Sequence, residues 1–307
     1  MKTLKISLYL VSWILTIFLA LRFGSSNVEW AWIYELRLPR VILALGVGAS
    51  LSVAGLILQT VFQNPLSEPY TLGVSSGATL GAVMGTYYGT LGMTGSSFLG
   101  ALAFSGVLQV ISNWSRGRAV VILLGGVMLG FLGSSLVWLW MALSDTNGIQ
   151  SAIIWIMGSL ARAELPSAVF VLFASLFLCA WAWKKSRELD ALLLGDEAAR
   201  SMGVNADRLR KTLVLISSLL VALSVSGAGM IGFVGLVVPH LLRTRIGSRH
   251  NLLIPACAVV GGQFVVACDL ISRWIARPME LPVGIVTAMI GAPLFLKLMM
   301  SRSREVA

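Results

Sequence analysis

Apolar residues run along this chain in long blocks separated by short polar intervals. Cutting at those intervals predicts ten helices, at approximately 6–23, 41–62, 71–88, 91–112, 119–143, 165–183, 209–228, 231–246, 251–274 and 282–300. A hydrocarbon core of ~30 Å needs about 20 apolar residues per helix, which most of the blocks supply. The third and eighth are short or interrupted by glycine, as happens in transporters whose helices break at membrane depth. The one long polar interval is Lys184 to Lys211, KKSRELDALLLGDEAARSMGVNADRLRK.

Composition agrees with the pattern. At 57% hydrophobic and 12% charged residues over 307 positions, the chain reads as an all-α integral membrane protein, one transmembrane domain over 1–307. The net charge of +10 does not point to nucleic acid, because the basic residues sit in the intervals between apolar blocks. With the N-terminus inside, ten crossings return the C-terminus to the same side. Seventeen of the 23 basic residues, from Lys2 and Lys5 through Arg116, Lys185, Arg243 and Lys297 to Arg302 and Arg304, then fall inside. Arg22, Arg37, Arg40, Arg162, Arg273 and Arg277 fall outside, so an N-in, C-in topology is expected, with Lys184–Lys211 in the cytoplasm. Lys2 and Lys5 before an apolar run resemble a signal peptide. The run is long for one, and Arg22 and Phe23 stand where small residues belong, so a retained first helix is expected. Cys179, Cys257 and Cys268 lie inside apolar runs without metal-ligand spacing and read as buried thiols.

Within the polar interval, Asp196 can cap a short helix from Glu197 to Met202, with Asp196 and Arg200 at i,i+4 and Gly203 placed to stop it. Two turns do not hold their shape alone in water. Either the helix packs into a groove, offering Leu192, Leu193, Leu194, Ala198 and Met202 flanked by Asp190, Asp196, Glu197 and Arg200, or the interval is a solvated loop. Elsewhere, Gly73, Gly77, Gly81, Gly85 and Gly89 put a glycine at every fourth residue of the third span, a stripe that lets a crossing helix approach backbone to backbone. Gly126 and Gly130 repeat the device in the fifth span.

Much chemistry is missing. No Gly-Lys dipeptide occurs, so there is no P-loop and any ATP must be hydrolysed by another chain. There is no HExxH, and neither a metal site nor a cofactor is expected. His240 after Pro239 reads as a packing and hydrogen-bonding residue at a helix end. Asp269 with Arg273 one turn on reads as a structural pair shielding a charge near lipid. Gln59, Gln63, Gln109 and Gln263 read as interhelical hydrogen-bonding groups.

Five ordered motifs carry a family resemblance: Arg37-Leu38-Pro39-Arg40, Asn64-Pro65-Leu66-Ser67-Glu68-Pro69, Gly73-Val74-Ser75-Ser76-Gly77-Ala78, Gly232 to His240 (GFVGLVVPH) and Glu280 to Ala288 (ELPVGIVTA). From Arg37 to about Leu298 the chain resembles the FecCD family, membrane subunits of ATP-binding-cassette importers for iron-siderophores, haem and cobalamin. The resemblance implies a bacterial or archaeal inner-membrane permease that pairs with a copy of itself or a paralogue, a homodimer being expected. Two cytoplasmic ATPases and an extracytoplasmic substrate-binding protein complete the assembly it implies.

The segment 186–206 is similar to the family's coupling helices, between the sixth and seventh spans. That implies ATPase contact at Leu192, Leu193, Gly195, Asp196, Glu197, Ala198, Ala199, Arg200, Met202 and Gly203. By motif position, Arg37 and Arg273 would meet the binding protein, the alternative being that both are interfacial anchors. The fifth and tenth spans would line the pathway for a metal chelate, with an iron-siderophore expected first. The competing class is a secondary carrier or channel needing no ATPase. A membrane-embedded enzyme would need a catalytic constellation that this chain lacks.

Overall fold

The computed structural model describes residues 2–23, 33–88 and 92–306. Among them are thirteen α-helices and no strand. They are α1 (Lys2–Arg22), α2 (Leu38–Val61), α3 (Val74–Tyr88), α4 (Gly92–Trp114), α5 (Ala119–Leu143), α6 (Thr146–Ile156), α7 (Leu165–Lys184), α8 (Ser186–Leu193), α9 (Asp196–Ser201), α10 (Ala206–Ala228), α11 (Val234–Ile246), α12 (His250–Ile275) and α13 (Val283–Val306). Seven stretches are long and apolar enough to cross a membrane: α2 with its π-helical lead Ile33–Arg37, α4, α5, α7, α10, α12, and α13 as far as Met300. The described apolar part of α1, Ser12–Arg22, is shorter, and α3 and α11 have 15 and 13 residues.

Helix α2 is the axis of the bundle, packed on by α7, α10, α11 and α12. It can be enclosed on all sides because its residues are small: Ala44, Gly46, Gly48, Ser50, Ser52, Ala54 and Gly55 let neighbouring backbones come close. A Cβ on Gly48 would overlap the backbone of Gly261 on α12, and one on Gly55 the backbone of Gly235 on α11. Ser50 Oγ donates to Ser175 Oγ of α7 at 2.6 Å, giving each hydroxyl a partner away from water. The peripheral helices α4, α5 and α7 keep most of their apolar surface outward, as helices facing lipid do.

The segments that lead into the two short helices α3 and α11 meet one another. A 3-10 turn, Pro69–Leu72, precedes α3, and the irregular stretch 229–233 precedes α11. The Glu68 carboxylate accepts from the Phe233 amide at 3.0 Å, and the Tyr70 hydroxyl lies 2.7 Å from the Ile231 amide and 2.9 Å from its carbonyl. Backbone groups freed in the 229–233 break are therefore satisfied by Glu68 and Tyr70 side chains from the segment leading into α3, as irregular backbone in an apolar surrounding requires.

Gly73 takes φ +73° at the 3-10 C-terminus, and its α-carbon side faces Gly126 O and Gly130 N of α5, each 2.7 Å from where a Cβ would stand. Gly77, Gly81 and Gly85 face α4, where a Cβ on Gly81 would overlap the Ser96 carbonyl. Gly89 lies outside the described residues. Helix α6 has no counterpart in the hydropathy pattern. It begins at an Asp145 cap whose Oδ1 accepts from the Gly148 amide at 2.9 Å, and its eleven residues are too short to register as a span.

Candidate functional site

Helices α8 and α9 project from the basic end of the bundle. Gly195 at φ +102° turns the chain between them, and α9 closes in a Schellman motif. Gly203, at φ +80°, donates to Arg200 O at 2.9 Å, and Val204 donates to Ala199 O at 2.9 Å. Asp196 is the first residue of α9, not its cap, and the expected Asp196–Arg200 pair does not form. The Asp196 carboxylate turns instead to Arg210 Nη2 of α10 at 2.6 Å, while Arg200 lies 3.5 Å from Asp207. Arg210 is buried and also donates to Gly117 O, in the α4–α5 turn, at 2.7 Å. A buried guanidinium that satisfies a carboxylate and a carbonyl on different elements positions both.

Helix α8 has its own anchors. Asp190 Oδ1 accepts from the His250 backbone amide at 2.9 Å and lies 2.6 Å from His250 Nδ1. Gln63 Nε2, just past α2, donates to Leu192 O at 3.1 Å. These attachments decide which residues can face a partner. Leu192, a contact the apolar pattern offered, and Ala199, which the resemblance places at the ATPase, are both buried in this chain. Asp190 and Asp196 are committed to the bundle. What remains outward is Leu194 at 67% and Met202 at 63% exposure, with Glu197 and Arg200 beside them and Leu193, Gly195 and Ala198 half-buried. Two large apolar side chains thus stand exposed at the two ends of α9.

At the opposite end stand Arg37 and Arg273, which the resemblance places at the binding protein. Both are buried in this chain, at 5% and 1% exposure. Arg37 Nη1 donates to Leu21 O at 2.9 Å and Arg22 O at 2.7 Å. Arg273 Nη1 reaches Ala20 O at 3.2 Å and Phe23 O at 3.3 Å, and its Nη2 pairs with Asp269 Oδ2 at 2.9 Å. The last four carbonyls of a helix have no intrahelical partner. Here two arginines serve the carbonyls of 20 to 23 at the end of α1 and complement the negative end of its dipole. The Asp269–Arg273 pair forms as the i,i+4 spacing suggested.

Nearby, Arg40 forms a bidentate pair with Glu280, at 3.2 and 2.5 Å, and donates to Leu160 O at 3.3 Å. That ties α2 to the loop leading into α13. Sequence reasoning missed the pair because its members lie 240 positions apart.

Of the remaining polar residues, Gln59 donates to Gly235 O at 2.9 Å, and Gln263 to Ser12 Oγ at 3.1 Å. Both are interhelical bonds. His240 stands inside α11 and not at its end, edge-on to Phe295 at 5.7 Å between ring centroids. No group of three or more His, Cys, Asp or Glu able to hold a metal occurs among the described residues.

A wholly helical membrane bundle, with interrupted helices stitched together at depth and a two-helix projection at its basic end, has the build of a transport permease. The comparisons name the family. The FecCD transport family model matches residues 3–301, and the chain belongs to that family. It is 35% identical over 294 residues to the hemin transport system permease protein HmuU of Yersinia pestis, which spans 92% of this chain and 86% of the relative. It is 38% identical over 276 residues to the vitamin B12 import system permease protein BtuC of Vibrio cholerae, 88% of this chain and 83% of the relative. Among solved structures, an inward-facing conformation of a metal-chelate type ABC transporter superposes with a TM-score of 0.90. It does so at 31% identity, over 98% of this chain and all of that one. The chain is thus a permease of the ABC importer kind, in which ATP hydrolysis resides on a separate subunit.

Proposed function

We propose that this chain is the membrane-spanning subunit of an ATP-driven importer that carries a metal chelate inward by alternating access, through a pathway between two copies of itself lined by α5 and α13. Two ATP-binding-cassette subunits sit against α8 and α9 in the cytoplasm, and a soluble binding protein delivers cargo on the other side. The named cargoes of the two relatives are hemin and vitamin B12. Those names support a metal-bearing macrocycle as cargo over the ferric siderophore expected from the resemblance alone. The reading includes ten crossings in an N-in, C-in arrangement, with α3 and α11 counted as crossings although short, in a bacterial or archaeal inner membrane.

The observation that supports this reading most is the projection at the basic end. Helix α9 has six residues, too few to persist alone, yet it is fixed on one side by Arg210 and shows Leu194 and Met202 on the other. With Arg37 and Arg273 committed to α1, a docking role for these two arginines requires them to leave the α1 carbonyls. The test is uptake into proteoliposomes of haemin, cyanocobalamin and a ferric siderophore, with the permease alone and with its ATPase and binding protein. Accumulation of one chelate that needs ATP and all subunits is expected. ATP-independent uptake by the permease alone would overturn the reading in favour of a secondary carrier.

A further inference from the structure

The buried contacts of His250 extend beyond α8. His250 Nε2 lies 2.8 Å from Thr60 Oγ1, at the end of α2, and Arg243 Nη2 of α11 reaches the same hydroxyl at 3.4 Å. With Asp190 at Nδ1, the three side chains form a hydroxyl–imidazole–carboxylate series. In an open cleft such a series activates a nucleophile. Thr60 and His250 are both at 0% exposure, so no substrate reaches the hydroxyl, and the series is left with a mechanical role.

Its geometry suits that role. The His250 amide is one of the N-terminal donors of α12 that no helical carbonyl can satisfy, and Asp190 caps it from α8. The ring then carries the connection to α2. One carboxylate on α8 therefore grips the start of α12 and, through the imidazole, the end of α2. The facing charged groups are Asp190 on α8 and Arg243 on α11. The connection holds for a neutral ring, with Nδ1–H donating to Asp190 and the Thr60 hydroxyl donating to Nε2. It also holds for a charged ring, with both nitrogens donating and the hydroxyl turned to Leu56 O at 2.9 Å. Helix α9 is fastened separately, to α10 and the α4–α5 turn, through Arg210.

We propose that Asp190, His250 and Thr60 are positioning residues that transmit movement of the coupling segment to α2 and α12, the axis of the bundle and its neighbour. This rests on the importer reading. Within it, Arg210 is the connection of α9, and the Asp190–His250–Thr60 series joins α8 to the bundle beside the Gln63–Leu192 bond.

The experiment measures ATP hydrolysed per chelate imported in the reconstituted full complex, with haemin and cyanocobalamin as probes. The variants are Asp190→Ala, Asp190→Asn, Thr60→Val and Thr60→Ser, and melting temperature serves as the control for folding. Asp190→Ala and Thr60→Val should raise the ratio by about tenfold, within the span common for coupling between sites. Asp190→Asn and Thr60→Ser, which keep an acceptor for His250 Nδ1 and a hydroxyl for Nε2, should restore it. An unchanged ratio in Asp190→Ala and Thr60→Val, in a wild-type complex that couples, overturns this proposal alone. So does a raised ratio that Asn and Ser fail to restore, since shape and not hydrogen bonding would then be responsible. A wild-type complex whose uptake ignores ATP overturns the importer reading and this proposal with it.

Discussion

Replacing Arg37 by alanine should loosen the first helix, because it removes two charge-assisted hydrogen bonds, at 2.9 and 2.7 Å, onto carbonyls that have no other helical partner. Hydrogen bonds to charged groups contribute about 1.5–3 kcal/mol each, and water entering the vacated space replaces part of that. A net loss of about 2–4 kcal/mol follows. Arg273→Ala should cost more, about 3–5 kcal/mol, because it strands the buried Asp269 carboxylate 2.9 Å from where its partner was. Changing both members, to Asp269→Leu with Arg273→Met, should recover much of that loss by removing the buried charges together. The assay is the melting temperature of the detergent-solubilised permease, with proteolysis of α1 as a second readout. A loss of 2–4 kcal/mol should lower the midpoint by roughly 5–10 °C in a chain of this size. An Arg37→Ala variant that melts with the wild type but no longer binds the soluble partner would refute the capping account and return Arg37 to a docking role.

That case shows where reading the sequence succeeds and where it stops. The apolar blocks are visible because lipid and core both demand twenty or so apolar residues. The two short helices are visible because glycine and shortness break the pattern at α3 and α11. The polar projection is visible because Lys184 to Lys211 is too long and too charged to cross a membrane. Which way each charge turns is another matter. Arg273 looked outward because its place near a span end is a local fact. Its carbonyl partners lie about 250 positions away, and no local pattern encodes them. Asp196 looked like a cap for the same reason, since spacing within the segment cannot register Arg210 on α10. The Asp190–His250–Thr60 series joins residues 60 and 190 positions apart. A histidine at the start of a span was its one available sign.

Three further outcomes follow from the same contacts. Arg210→Ala should free α9 from α10 and cost about 3 kcal/mol as a buried charged hydrogen-bonding group is lost, read as weakened co-purification of the ATPase with the permease still folded. Gly81→Leu should prevent α3 from seating on α4, since even a Cβ would meet the Ser96 carbonyl; the expected loss is above about 3 kcal/mol, seen as failed assembly of detergent-stable permease. Single cysteines near Lys185 and Arg302 should label from the cytoplasm only and one near Arg277 from outside only, after replacement of the three native cysteines. Labelling of the Arg277 and Arg302 sites from one face would remove the even number of crossings.

The central claim is that α8 and α9 form the surface on which an ATPase acts. Its most direct measurement is crosslinking from a single cysteine at Met202, exposed and outside every bundle contact described above, in the complex with the ATPase subunit. The account predicts a crosslink to the ATPase whose yield changes between nucleotide-free and ATP-bound states, and no such crosslink from a cysteine at the opposite end, at Trp274. An intact complex in which Met202→Cys stays freely reactive to water-soluble thiol reagents, with or without nucleotide, would contradict it.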